Sequence, residues 1–329
     1  MSNLRNKNLH IESLRGLACL LLVVYHTIGD TPLSGLNIEE GFYRHISDQL
    51  SLIRMPLFAL IAGYIYANRR YNGNNKYFTS KAHRILVPFL IIGSLFSLAR
   101  HFYQHKSIDL PFQIILNFLV SPDNHFWFLQ AIFIVFIVIA ILEVITKNSN
   151  KRIIPALIAI SLIAYLSPYQ LGLFSLNGAT YLLPFFTLGF ILNTLKIKPF
   201  HSQKYQLATY VMIVFALIII IFSYSFESGR SIDKLLISIL LISLLYLTNI
   251  KSNALTLIGS YSYFIFLYHV FFTAGTRTIL NAASIDNLEA QVIIITIMGI
   301  QGPMLLQMLF AKCLSFYKRV QTGRIPSTD

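Results

Sequence analysis

The chain has 329 residues, 55% hydrophobic and only 12% charged, with a mean hydropathy of +0.64. Soluble domains carry roughly twice that charged fraction, so an ordinary soluble globular fold is excluded. About ten apolar runs follow one another: 12–29, 49–67, 84–103, 125–145, 153–167, 180–195, 207–226, 234–249, 256–275 and 290–312. Many approach the ~20 residues that cross a bilayer as a helix, and the alternating strands of a membrane barrel are absent. The expected fold is all-α, a polytopic transmembrane helical bundle forming one membrane domain over 1–329. The loops 30–48 and 104–124 are too short to fold alone. The apolar stretch 110–120 is too short to span and is expected to be interfacial or re-entrant, and the tail after about 318 to be disordered. No internal repeat is found, which weakens an inverted-repeat transporter.

The net charge of +13 reflects topology rather than nucleic acid. With the N-terminus inside, eighteen of the 26 lysines and arginines fall on one side, five on the other and three in the interior of the runs. The positive-inside rule then puts both termini in the cytoplasm. Membrane lipid is the expected surrounding partner. Arg5 and Lys7 precede the first run as in a signal peptide. No small-residue cleavage site follows, and the run is expected to be a retained helix.

That first run carries Glu12, Arg15 and His26. Eleven residues separate Arg15 from His26, and at ~100° per residue eleven steps end ~20° past three turns, so both share a face. They lie ~16 Å apart along the axis and cannot touch. Glu12 sits three residues before Arg15, one turn away, where the two can pair. Ionisable groups in a bilayer face a protein interior or a watery cavity. A path joining the two sides fits the spacing better than a compact dyad. The plainer alternative has Arg15 snorkelling to the interface and His26 bonding a neighbouring helix.

Further along, Arg54 lies early in the second run, Arg100 and His101 end the third, and Trp127, the only tryptophan, opens the fourth. His269 lies in the ninth run at a depth close to that of His26. Singly these are ordinary interface anchors. Together with two intramembrane histidines they indicate an outward-facing polar pocket, to which Tyr25 and Tyr268 belong by level. His101 and His105 have helical i, i+4 spacing but no third ligand, so no metal is expected. Cys19 and Cys313 offer neither a disulfide framework nor metal-ligand spacing.

SLRGLACLLLVVYH, with an acidic residue three before the arginine, resembles the opening signature of the membrane acyltransferase-3 family. So do RMPLFALIAGYIY (54–66), KAHRILVP (81–88), HFWFLQAIF (125–133), LLPFFTLGFIL (182–192) and GSYSYFIFLYHVFF (259–272), in order along the whole chain. The resemblance implies an integral membrane O-acyltransferase acting on extracytoplasmic glycans. It implies His26 as the catalytic histidine with Arg15 and Glu12 as first-span partners, and Lys81 and Arg84 as the basic pair for the acyl donor, acetyl-CoA or a related thioester. Lys81 stands where the family usually has arginine, keeping the charge but losing the bidentate fork that matches phosphate. Ala62 replaces the usual serine before Gly63.

The expected function is transfer of acetyl from acetyl-CoA to a hydroxyl of an extracytoplasmic glycan at the inner membrane of a bacterium. A neutral imidazole can take the hydroxyl's proton, and Arg54, Tyr25 and Tyr268 are candidates to stabilise the oxyanion. His26 acts either as general base or as a transiently acylated nucleophile. The rival reading, a transporter or flippase for a polar or lipid-linked sugar, also explains intramembrane charge but lacks the motif set.

Overall fold

The computed structural model describes residues 8–29, 35–71, 73, 75–103, 110–122, 124–169, 171–223 and 229–321. Among them all regular structure is helical: α1 (Leu9–Ile28), α2 (Phe42–Gln49), α3 (Ser51–Ala67), α4 (Asn75–Pro88), α5 (Ser94–Tyr103), α6 (Pro111–Val120) and α7 (Trp127–Ile145), then α8 (Asn150–Leu166), α9 (Leu176–Thr194), α10 (Gln203–Ser223), α11 (Ile232–Leu247), α12 (Asn253–Ser260), α13 (Ser262–Ala282) and α14 (Leu288–Gln321). α14 continues past the point where a disordered tail is expected, and 322–329 lie outside the described residues.

Each expected run coincides with a helix, but fewer than ten of them, among the described residues, have the length and apolarity of a clear membrane span. Among the described residues seven helices are long and apolar enough, or eight when α12 and α13, bent by 81°, are taken as one broken span. The shortfall comes from α8, with 17 residues, and α11, with 16. At 1.5 Å per residue they reach ~24–26 Å, short of the ~30 Å hydrocarbon core. The short apolar α6 has ten residues. Pro88 lacks the N–H that would continue the ladder, and the chain passes through one π turn, Phe89–Gly93, before resuming as α5. The protein is a multi-pass helical membrane protein.

Two helix crossings organise the bundle, and both are made by glycine. α1 meets α12 where a Cβ on Gly16 would lie 1.9 Å from the Leu255 carbonyl oxygen and one on Gly259 would lie 1.9 Å from that of Glu12. α3 meets α9 in the same reciprocal way: a Cβ on Gly63 would be 2.0 Å from the Phe186 oxygen, and one on Gly189 would be 1.9 Å from that of Leu60. Small residues let backbones come close where lipid supplies no hydrophobic drive for association. Hydrogen bonds reinforce the first crossing. The Ser252 N–H donates to Ser13 Oγ at 3.2 Å, and Ser13 and Thr256 share a hydroxyl bond of 2.9 Å. Around the second, Leu57, Leu60, Phe185, Phe186 and Phe190 form a core shielded completely from solvent.

Gly16→Ala and Gly189→Ala should therefore each lower the thermal unfolding midpoint of the purified protein, at a cost of about 1–3 kcal/mol for overpacking. Gly275, where an added Cβ meets nothing within 4 Å, is the control whose alanine variant should melt like the wild type.

Candidate functional site: a cluster of three buried histidines

α1 carries charge at one end and imidazole at the other. Asn8 caps it, its side-chain oxygen accepting from the His10 N–H at 3.1 Å and the Ile11 N–H at 3.4 Å. In the first turn, Arg15 Nη1 donates to both carboxylate oxygens of Glu12 at 3.1 Å. An acidic residue there also suits the positive end of the helix dipole. His26 occupies the last turn and is buried.

Two histidines from distant parts of the chain meet it. His269 comes from the middle of α13, and His125 from the short 3-10 turn Asn124–Phe126 that leads into α7. Ring centroids lie 5.0 Å apart for His26–His269, 5.5 Å for His26–His125 and 4.6 Å for His125–His269. His125 is 2% exposed and His269 fully buried. His269 Nδ1 lies 2.9 Å from the Ile265 carbonyl oxygen and 3.0 Å from that of Phe266. Bonds to two carbonyls require Nδ1 to donate, which leaves Nε2 of the neutral ring as an acceptor. Neither ring nitrogen of His125 makes a well-aligned hydrogen bond among the described residues, though the Phe266 backbone lies within its electrostatic reach. Its walls are aromatic, with Phe126 at 4.2 Å, Phe266 at 4.9 Å and Phe96 at 6.5 Å between centroids.

One ring nitrogen from each histidine lies within 4.8 Å of the others, a set able to hold a metal ion. Zinc bonds of ~2.0–2.1 Å in a tetrahedral site set nitrogens about 3.4 Å apart, so the cluster would have to contract around one. As placed, it is a nest of imidazoles that can accept, hold and pass a proton.

Beside His26, the Arg54 guanidinium sits 3.5 Å from the centroid of the Tyr25 ring, and that ring is 5.0 Å from His26. Arg54 is 6% exposed. His26, His269, Tyr25 and Arg54, expected at one level, are thus brought together, and His125 is added. The sequence offered a signal for His125, a polar residue two before the tryptophan of HFWFL.

The remaining candidates lie elsewhere. Tyr268, one position and ~100° away from His269 on its helix, packs against Phe264 with ring centroids 4.5 Å apart. Trp127 packs on α9, where a Cβ on Gly178 would come within 2.5 Å of the indole. Lys81 is held among aromatic rings, 4.3 Å from Phe136 and 5.5 Å from Tyr77. Next to that cage is Glu143, a buried carboxylate outside the sequence expectations. It accepts the Tyr66 hydroxyl at 2.6 Å and the Tyr71 N–H at 3.1 Å, pinning the segment after α3. Arg84 is exposed, and its carbonyl accepts the hydroxyl of Tyr263, six residues before His269 on α13. His101 packs beside Phe102, while His105 lies outside the described residues.

The acyltransferase-3 family profile, described as an acyltransferase domain, matches residues 8–308. No curated protein and no solved structure matches the chain.

Unsatisfied buried polar atoms each cost about 1–3 kcal/mol. Replacing His125 by an apolar ring of similar size should therefore preserve or raise the thermal midpoint, whereas Leu57→Ala in the α3–α9 core should lower it. A His125→Phe variant that melts well below the wild type would mean that the imidazole serves the fold.

Proposed function

Because the chain belongs to the acyltransferase-3 family, we propose that it carries an acyl group, acetyl from acetyl-CoA, across a bacterial inner membrane to a hydroxyl of an extracytoplasmic glycan. Family membership does not favour the transport reading. The observation that carries the proposal is the convergence of His26, His125 and His269 at the opposite end of α1 from the Glu12–Arg15 pair.

Both termini are cytoplasmic in this reading. The anionic donor is met at the Arg15 end, with Arg84 and the caged Lys81 as the further cations on that side. Its acyl arm extends along the α1 face shared by Arg15 and His26. At the far end, His26 takes the proton of the acceptor hydroxyl as its oxygen attacks the thioester carbonyl. The C–O bond forms, the C–S bond breaks, and the thiolate recovers the proton from the imidazolium to leave as free thiol. Negative charge on the carbonyl oxygen in between is stabilised by Arg54, held in place over Tyr25. His269, its tautomer fixed by two backbone carbonyls, offers an acceptor that keeps a neighbouring imidazole oriented, and positioning of this kind costs nothing at the moment of reaction.

The test is acetyl-CoA turnover by the purified protein with a glycan acceptor. His26→Ala should reduce turnover by about 10²–10⁴-fold, the contribution of a positioned base, and His269→Phe should reduce it with little change in donor binding. Glycan acetylation should fall with it in cells lacking the protein. Turnover that survives His26→Ala would remove the histidine from the chemistry. Labelled acyl-histidine accumulating without acceptor would assign it the nucleophilic role.

A further inference from the structure

A second polar site lies on the other side of α1. Where α1 begins and α3, α9 and α11 end, there is a cavity of about 500 Å³, within the roughly 300–1,000 Å³ typical of ligand pockets. Lys196, Lys198 and Lys251 line it, and no carboxylate among the described residues does. None of the three has a carboxylate partner among the described residues. A lysine in the last turn of a helix can be explained by the helix dipole. Lys198 and Lys251, however, stand four residues beyond the ends of α9 and α11, outside that range.

The rim is built rather than loose. Tyr246 donates its hydroxyl to the Ile197 carbonyl at 2.7 Å, and the Phe200 N–H donates to Leu247 at 3.0 Å. Lys196 and Asn249 both leave their helices in the left-handed conformation, with φ of 54°. In the wall, His10 is 2% exposed and bonded through Nδ1 to the Ile250 carbonyl at 3.2 Å, while its Nε2 has no hydrogen-bond partner among the described residues. Asn8 uses its oxygen to cap α1, which leaves its amide NH₂ to donate into the cavity it lines.

We infer that this cavity binds a phosphate ester, held by the three lysines and the Asn8 amide. Cations and donors without any acidic group are what a phosphate dianion requires. The site stands apart from the donor path. On α1, His10 is turned ~140° from Arg15 and ~160° from His26, so cavity and histidine cluster occupy opposite faces of one helix. The proposal therefore does not depend on acyl transfer. The ester has two possible sources, an anionic phospholipid of the adjoining leaflet or a soluble phosphate, and basic pockets between membrane helices are known to take lipid head groups.

The full-length protein can be tested both ways. Native mass spectrometry of protein from nanodiscs containing phosphatidylcholine with phosphatidylglycerol reads the lipid arm, and calorimetry with inorganic phosphate and glycerol 3-phosphate reads the soluble arm. Each Lys→Gln substitution should weaken binding about five-fold, and the triple variant K196Q/K198Q/K251Q about a hundred-fold, at roughly one surface-lysine contribution each. These side chains are exposed, so the variants should fold. Retention of phosphatidylglycerol that the triple variant loses identifies a lipid source, and a calorimetric signal that it loses identifies a soluble one. K81Q/R84Q, on the donor side, should leave binding unchanged, and loss there too would place the ligand on the donor path and overturn a separate site. No selective binding in either arm, or binding indifferent to the three lysines, overturns the proposal.

Discussion

The bundle depends on how closely α1 can approach α12. With a side chain at Gly16 or Gly259 the two backbones would collide, because a Cβ at either position falls 1.9 Å from a carbonyl oxygen across the contact. In a bilayer, lipid tails are as apolar as the helices, so contact has to come from close packing and interhelical hydrogen bonds. The Ser13 bonds to Ser252 and Thr256 supply the second of these, and the Cys19 thiol adds a contact of 3.6 Å to the Ser262 carbonyl. This locked seam carries α12 and, through its 81° bend, fixes where α13 returns alongside α1. His269 reaches His26 because of that bend.

Three imidazoles can be buried together more cheaply than a carboxylate and a cation. A neutral ring loses only polar solvation in an apolar setting, while an isolated ion costs far more. The cluster's aromatic walls fit that condition, and the fully charged groups are kept in different company. Glu12 and Arg15 neutralise one another at the entrance end of α1, Arg54 lies against the face of Tyr25, and Lys81 sits among aromatic rings. Cation–π contact is worth about 0.5–1 kcal/mol when exposed and more when desolvated. It holds a guanidinium in place without quenching its positive field, which a carboxylate partner would do.

Much of this was legible in the sequence, and what was not has a common physical origin. Helical periodicity along α1 put Arg15 and His26 on one face and paired Glu12 with Arg15, because those relations are local. Depth counting brought His269, Tyr25 and Arg54 to the level of His26. Depth says nothing about azimuth, however, and Tyr268, one residue from His269, packs against Phe264 instead. His125 escaped because it lies on a three-residue turn with no periodicity, and only tertiary packing brings it to α13. Trp127 drew attention within the same motif, yet its indole fills the space left by Gly178. The count of clear spans differs from ten for a similar reason. Hydropathy recognises that α8 and α11 are apolar, but their lengths are set by the turns that flank them.

α1 also works as a partition. The side presenting His26 faces α13 through the histidine contacts, and the glycine seam with α12 lies ~80° round the helix from it, toward the side presenting His10. The side presenting His10 faces the ends of α3, α9 and α11, across a cavity whose charge is all positive. A helix lined with polar groups on two faces cannot be placed against lipid on either, which accounts for the burial of two-thirds of its apolar window. The same requirement explains why glycine, serine and cysteine rather than larger apolar residues line its contact with α12 and α13. Leucine at those positions would make the helix more hydrophobic and less able to enter the centre of the bundle. The polarity of α1 and the smallness of its seam residues are thus two consequences of one position in the fold.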